Sequence, residues 1–221
     1  MTQTISIVML GASGAVGGIA AQALSQLPEI KQLTLLNRKE LPALLLSKVI
    51  QLIRDVTDPK DYSQFLSGHQ VAICCLGVGQ PSKVSKEEFV KIDKTAALDF
   101  AKACKKAGIK HFQLLSAVGA NSKSSNHYLR TKGELQDAII ALGFERTSFF
   151  QPSMILTPTN RYGFSQGVML AVWPSLSVVL QGGLRKYRGI NVATLGCAIA
   201  KNVITAGQGL EILRWDQINS L

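Results

Sequence analysis

Thr4-Ile-Ser-Ile-Val-Met-Leu10 runs directly into Gly11-Ala-Ser-Gly14-Ala-Val-Gly17-Gly18. A short, β-branched apolar run, a glycine-rich turn and helical periodicity over Gly14–Leu27 make the strand–turn–helix that a dinucleotide-binding turn requires. Gly11 allows the tight turn, Gly14 lets the backbone approach a pyrophosphate, and Gly17 lets the helix pack closely on the strand. The helix N-terminus offers unpaired N–H groups and positive partial charge to phosphates. The turn residues Ser13, Ala15 and Val16 therefore stand beside the three glycines as candidate cofactor contacts.

Outward from this junction, strand-like and helix-like segments keep alternating. Lys31–Leu36 and Val49–Ile53 read as strands, Leu44–Leu46 as a helical turn and Asp58–Leu66 as a short helix. Val71–Leu76 is apolar throughout, as a central strand buried on both faces should be. Lys86–Ala107 predicts one long amphipathic helix stopped by Gly108, and His111–Ser116 a further strand. Ser125–Leu142 is a helix, Arg146–Phe150 a strand, and Val192–Thr205 with Leu210–Leu213 a final helix and strand. Such alternation implies right-handed βαβ units and an α/β fold, a Rossmann doubly wound parallel sheet. The 221 residues suit a single domain, with a core to about residue 155 and a small C-terminal substrate cap over about 156–221.

The charge balance is strongly basic: 24 Lys plus Arg against 14 Asp plus Glu, a formal +10. The excess is shared evenly between the two halves of the chain. Lys102, Lys105, Lys106 and Lys110 lie at helical spacing with no aromatic residues between them, which reads as a solvated face and not as a nucleic-acid surface. The four cysteines have no partner at zinc-ligand spacing, so they read as buried free thiols and no metal is expected. No signal peptide is evident, and residues 164–180 are interrupted by Gln166, Pro174 and Ser175, too short a run to span a membrane. A cytoplasmic, soluble protein is expected.

Two further patterns carry chemistry. At the end of the second strand, where an NAD site usually presents an acid to the ribose, the sequence offers Asn37, Arg38 and Lys39. A guanidinium at Arg38 can grip a 2′-phosphate bidentately, so NADP is favoured over NAD. Tyr128 and Lys132 stand four apart on one helical face. An ammonium beside a phenol favours the phenolate, lowering a pKa near ~10 toward working pH, and the tyrosine can serve as general acid or base. Ser116 ends the preceding strand, where open α/β sheets bind ligands.

These residues resemble the short-chain dehydrogenases/reductases, and within them the atypical branch of Tat-interacting-protein-like oxidoreductases. The resemblance rests on the three-residue glycine spacing, Cys74-Cys-Leu-Gly77, Leu114-Leu-Ser116, Gly119-Ala-Asn-Ser-Lys-Ser-Ser-Asn126 and Tyr128-Leu-Arg-Thr-Lys132-Gly-Glu134. It covers about residues 4–155. It implies an NADP-binding Rossmann fold and a catalytic set of Ser116, Tyr128 and Lys132, with Lys132 also on the nicotinamide ribose. It further implies adenine contacts near Asp55 and Val56, cofactor contacts from Leu76 and Gly77, and Gln151-Pro152-Ser-Met154 beside the nicotinamide. Asp93 stands where many extended members carry asparagine, which puts a proton relay there in doubt; an ordinary exposed helix acid is the other reading.

The expected function is NADPH-dependent hydride transfer to or from a small carbonyl or alcohol. The alternative is an NADP-binding regulator or adaptor with little turnover. Met154, Phe164, Met169, Trp173 and Leu176 read as cleft lining, homodimer contact or small core, and Arg161, Arg185 and Arg188 as ligands for an acidic substrate or the cofactor phosphate.

Overall fold

Along the first strand, β1 (Ile5–Leu10), successive side chains enter two different cores. Ile7 and Met9 join one apolar cluster and Val8 and Leu10 the other, as the two-residue period of a strand dictates. A strand buried on both faces belongs at the centre of a sheet covered by helices on each side. The computed structural model describes residues 4–157 and 180–221.

Six further strands join β1: β2 (Ile30–Asn37), β3 (Val49–Ile53), β4 (Val71–Cys74), β5 (His111–Leu115), β6 (Arg146–Phe150) and β9 (Gly209–Leu213). Among the described residues they form one sheet in the order β3-β2-β1-β4-β5-β6-β9, every pairing parallel. Order reverses between β1 and β4, the topological switch point where such sheets bind ligands. This is a Rossmann fold.

Helix α1 (Ala15–Gln26) packs against α6 (Val192–Ile204) on one face of the sheet. Leu24 and Ala20 meet Leu195 and Ile199 in the cluster that also takes Ile7 and Met9. The opposite face holds α4 (Ala97–Lys106) and α5 (His127–Ala141), whose Phe100, Leu135 and Ile139 pack with Phe112 and Phe149. Asn126 caps α5 by accepting from the Leu129 N–H, and Asn191 caps α6 by accepting from that of Ala193.

Most of the expected elements form within a residue or two of their expected bounds. The span expected as one regular helix is broken in character: α3 (Lys86–Val90) passes into a π-helical stretch, Lys91–Ala96, before α4 begins. The helix expected over 58–66 is a single turn, α2 (Pro59–Tyr62), followed by a 3-10 turn. Two features were not anticipated: the two-residue pairing of β7 (Ile155–Leu156) with β8 (Ile190–Asn191), and a closing helix α7 (Trp215–Ser220). Residues 192–213 of the expected cap region are part of the sheet and its helical layer, since β9 pairs with β6. Phe164, Met169, Trp173, Leu176 and Arg161 lie outside the described residues. Cys74 and Cys104 are buried as expected, Cys75 half-buried, but Cys197 is exposed, because its place on α6 faces away from α1.

Candidate functional site

The parallel register brings the carboxyl ends of the strands to one level. Leu10 pairs with Leu36 and Cys74, Cys74 with Leu114, and Leu115 with Phe150. Gly11, Asn37, Cys75, Ser116 and Gln151, each within one residue of these pairs, therefore share one edge of the sheet.

Gly11 turns there with φ +94°, and a Cβ on it would meet the Cys75 carbonyl carbon at 2.5 Å. A Cβ on Gly17 would run into the Gly11 carbonyl oxygen, so both glycines are required by space. Gly14 is the N-cap of α1 and supplies no side chain, nor does the first turn hold an acid. The first-turn N–H groups thus have no side-chain cap and no acid beside them, as suits an anion.

Two cavities meet at this turn. A recess of about 110 Å³ is lined by Gly11, Asn37, Arg38, Val56, Leu76 and Gly77 among others. A cleft of about 800 Å³ shares Ser13, Gly14, Leu76 and Gly77 with it, and continues over Ala15, Val16 and Gly17 to Asp93, Ser116, Tyr128, Lys132 and Met154. A side opening of about 220 Å³ is bounded by Val118, Tyr128, Leu129, Pro152 and Met154. The turn, Arg38, Val56, Leu76, Gly77 and the Ser-Tyr-Lys set are thus brought together. Lys39 is exposed and lines none of these spaces.

Two sequence expectations need correction in detail. The Asp55 carboxylate folds back on the Thr57 N–H and hydroxyl at 2.9 and 2.7 Å, so it does not line the recess; those bonds hold its pKa below the ordinary range. Asn37 does line the recess, its amide donating to Gln51 Oε1 of β3 at 3.1 Å. The Gln151 side chain lies buried beneath the cleft, bonded to Gln136 and Arg214, while Pro152, Ser153 and Met154 of its segment reach the openings.

For Asp93 the structure overturns the second of its two readings, the exposed helix acid: the residue is 2% exposed. Its Oδ1 accepts from Lys132 Nζ at 2.8 Å and its Oδ2 from the Val78 N–H at 2.7 Å. The π-helical stretch adds a residue to the turn and turns Asp93 into the cleft, a common use of such stretches. A legible signal existed: Asp93 falls in the stripe Phe89, Ala96, Ala97, Phe100, Cys104, all of which are buried.

This carboxylate changes the electrostatics. Burial alone would lower the Lys132 ammonium, but Asp93 above all, with Tyr128, carries it upward. Burial raises the Tyr128 phenol; Lys132 opposes that and Asp93 reinforces it, leaving the phenol above its ordinary value. The expected lowering of Tyr128 is therefore overturned. The Tyr128 ring rests against Phe89, with centroids 5.6 Å apart. The adjoining Gly133 has no room for a Cβ against the backbone of Asn121 and Ser122, so the 119–126 loop packs directly on α5.

Comparison with known proteins agrees with this geometry. A family model described as NAD(P)H-binding matches residues 11–161. The chain belongs to the NAD(P)H-binding family. Protein HTATIP2 of Rattus norvegicus is 30% identical over 96% of the chain and 86% of its own length. The protein named FMP52, mitochondrial, of Meyerozyma guilliermondii is 34% identical over 75% of the chain and 72% of its own length. The resemblance read from the motifs is borne out. Among solved structures, MoeE5 in complex with UDP-glucuronic acid and NAD superposes with a TM-score of 0.72 at 14% identity, covering 94% of this chain and 75% of that one. The oxidoreductase ylbE of Lactococcus lactis gives 0.68 at 17%, covering 98% and 96%. These likenesses are of fold. In this NAD(P)H-binding chain, no helix among the described residues is long and apolar enough to cross a membrane.

Arg185 and Arg188 do not face the cleft. Both guanidinium groups lie over the Trp215 ring, at 5.2 and 4.9 Å, and Arg185 also pairs with Asp216.

Proposed function

We propose that this protein is an NADPH-dependent reductase of small carbonyl compounds, with Tyr128 as general acid. One observation carries the reading: the same glycine turn lines both a recess holding Arg38 and a cleft holding Ser116, Tyr128 and Lys132. An extended dinucleotide suits that pair of spaces. The clash-limited glycines and open α1 N-terminus suit a pyrophosphate, and Arg38 suits a 2′-phosphate in place of the NAD-type acid.

NADPH, when bound, supplies the hydride. The protein's task is to hold the carbonyl and deliver a proton to its oxygen. A phenol kept above its ordinary pKa is protonated at neutral pH, the form that can donate. The Ser116 hydroxyl, which lines the cleft, can hydrogen-bond the same oxygen as negative charge grows on it. The Lys132 ammonium stabilises the phenolate left behind, and Asp93 keeps that ammonium charged and in place. Solvent then restores the phenolic proton.

The test is NADPH consumption by the purified protein with a panel of aldehydes and ketones, repeated with Tyr128→Phe. Loss of turnover by about 10²-fold or more is expected for removal of a general acid. Undiminished turnover removes Tyr128 from the reaction.

A second reading, an NADP-binding regulator without turnover, is favoured by the Asp93–Lys132 pair, which engages the lysine before any ligand arrives. Tight NADPH binding with no turnover across the panel would select it.

A further inference from the structure

Beneath the cleft floor, four side chains form a single hydrogen-bonded line. Arg214 Nε donates to Gln151 Oε1 at 3.2 Å, Gln151 Nε2 to Gln136 Oε1 at 3.0 Å, and Gln136 Nε2 to Ser116 Oγ at 2.5 Å. Gln136, Gln151 and Ser116 are all buried. The four residues come from α7's N-cap, the end of β6, α5 and the end of β5.

The line has a direction fixed at one end. A guanidinium has only donors, so the oxygen of Gln151 must face Arg214 and its NH2 must face Gln136. The same constraint passes on: the oxygen of Gln136 faces Gln151 and its NH2 faces Ser116. A hydroxyl has one hydrogen to give and two lone pairs to receive with. With one lone pair taken by Gln136, the Ser116 hydrogen is left for the cleft, which Ser116 lines.

We infer that Arg214, Gln151 and Gln136 are positioning residues that set Ser116 as a hydrogen-bond donor toward an acceptor-only substrate oxygen, that is, a carbonyl. The inference rests on the role proposed above for Ser116 and deepens it. Were either amide reversed, Ser116 would donate its hydrogen to Gln136 and present only lone pairs to the carbonyl, which repel. The arrangement also explains why a glutamine at 151 turns away from the cleft: its two polar ends are both engaged below it.

The discriminating variant is Gln136→Glu in the full chain. The introduced carboxylate can accept from both Gln151 and Ser116, so the site stays filled and bonded, but the Ser116 hydrogen is drawn out of the cleft. NADPH-dependent turnover of the aldehyde and ketone panel is expected to fall to the level of Ser116→Ala, with NADPH affinity within twofold of wild type. Acidification should restore activity, because a buried carboxyl protonates readily and can then donate to Ser116. The wild type should lack that acidic limb. Wild-type turnover in Gln136→Glu, or a loss that acid does not relieve, overturns the inference. If the wild-type protein turns over nothing in the panel, the reductase reading falls and side-chain spectra decide the inference alone. In 15N spectra of the unliganded chain, the Gln136 amide protons, identified by their loss in Gln136→Met, should move upfield in Ser116→Ala. Their failure to move shows that Gln136 does not donate to Ser116.

Discussion

The Lys132 ammonium and the Asp93 carboxylate lie 2.8 Å apart in the floor of the cleft, and both side chains are almost wholly withdrawn from solvent. The pair joins the π-helical stretch to α5 and is backed by the Val78 N–H. Its partners come from segments that the sequence separates by helix α4, strand β5 and a loop.

Breaking a buried pair by removing one member leaves the other charge uncompensated, at about 3–5 kcal/mol. Asp93→Ala should lower the unfolding free energy in urea by about that amount; a loss of less than about 1 kcal/mol would show that Lys132 has another partner. The pH dependence has a definite sign. Lys132 and Tyr128 are both raised on folding, so their contributions are complete below their unfolded values and vanish as pH climbs through the folded ones. Urea midpoints should therefore fall above about pH 10, and Asp93→Asn should flatten that fall.

At the opposite end of the sheet, Arg146 pairs with Glu211 at 2.9 Å, and Glu211 also accepts from Ser148 and Asn202. Burial alone would raise Glu211, but the bonds from Arg146, Ser148 and Asn202 bring it below the ordinary range. His111, hydrogen-bonded to Ser148 at 2.8 Å, is driven down to about 3 by burial and then by Arg146. Both groups are depressed on folding, so stability is complete above their unfolded values and declines as pH falls from about 6.5 toward 3. Glu211→Gln should leave Arg146 partly unpaired, cost about 3 kcal/mol at neutral pH and reduce the acid dependence. Denaturant titrations at a series of pH values measure both.

Gly17→Ala places a methyl group against the Gly11 carbonyl. The turn must open to admit it, at about 1–3 kcal/mol of stability. Loss of NADPH affinity by at least about tenfold, worth 1.4 kcal/mol, is expected by titration calorimetry. Unchanged affinity would place the cofactor elsewhere.

Arg38 is exposed at the mouth of the recess. Hydrogen bonds to a charged group are worth about 1.5–3 kcal/mol. Arg38→Ala should raise the NADPH dissociation constant by about tenfold or more and leave that for NADH within about twofold. Equal losses for both would reject a 2′-phosphate role.

The local grammar of this chain is legible because it depends on neighbours in sequence. The turn from Leu10 through Gly17, the apolar run at 71–76 and the helix–strand alternation are matters of spacing and backbone freedom. They suffice for a parallel doubly wound sheet with a nucleotide turn at its edge, and for placing Tyr128 and Lys132 on one face of α5. What they could not decide is who meets whom across the sheet edge. For Asp93 the sequence leaves a relay position and a solvated helix acid both open; only the π-helical stretch and the packing of that helix on α5 bring it to Lys132. For Gln151 the family resemblance implies a place beside the nicotinamide; its partners Gln136 and Arg214 lie 15 and 63 residues away. Tyr128 shows the same division most clearly. Its spacing from Lys132 is fixed by the helical repeat, whereas the direction of its pKa is set by burial and by a carboxylate 35 positions earlier, quantities that exist only after the chain has folded.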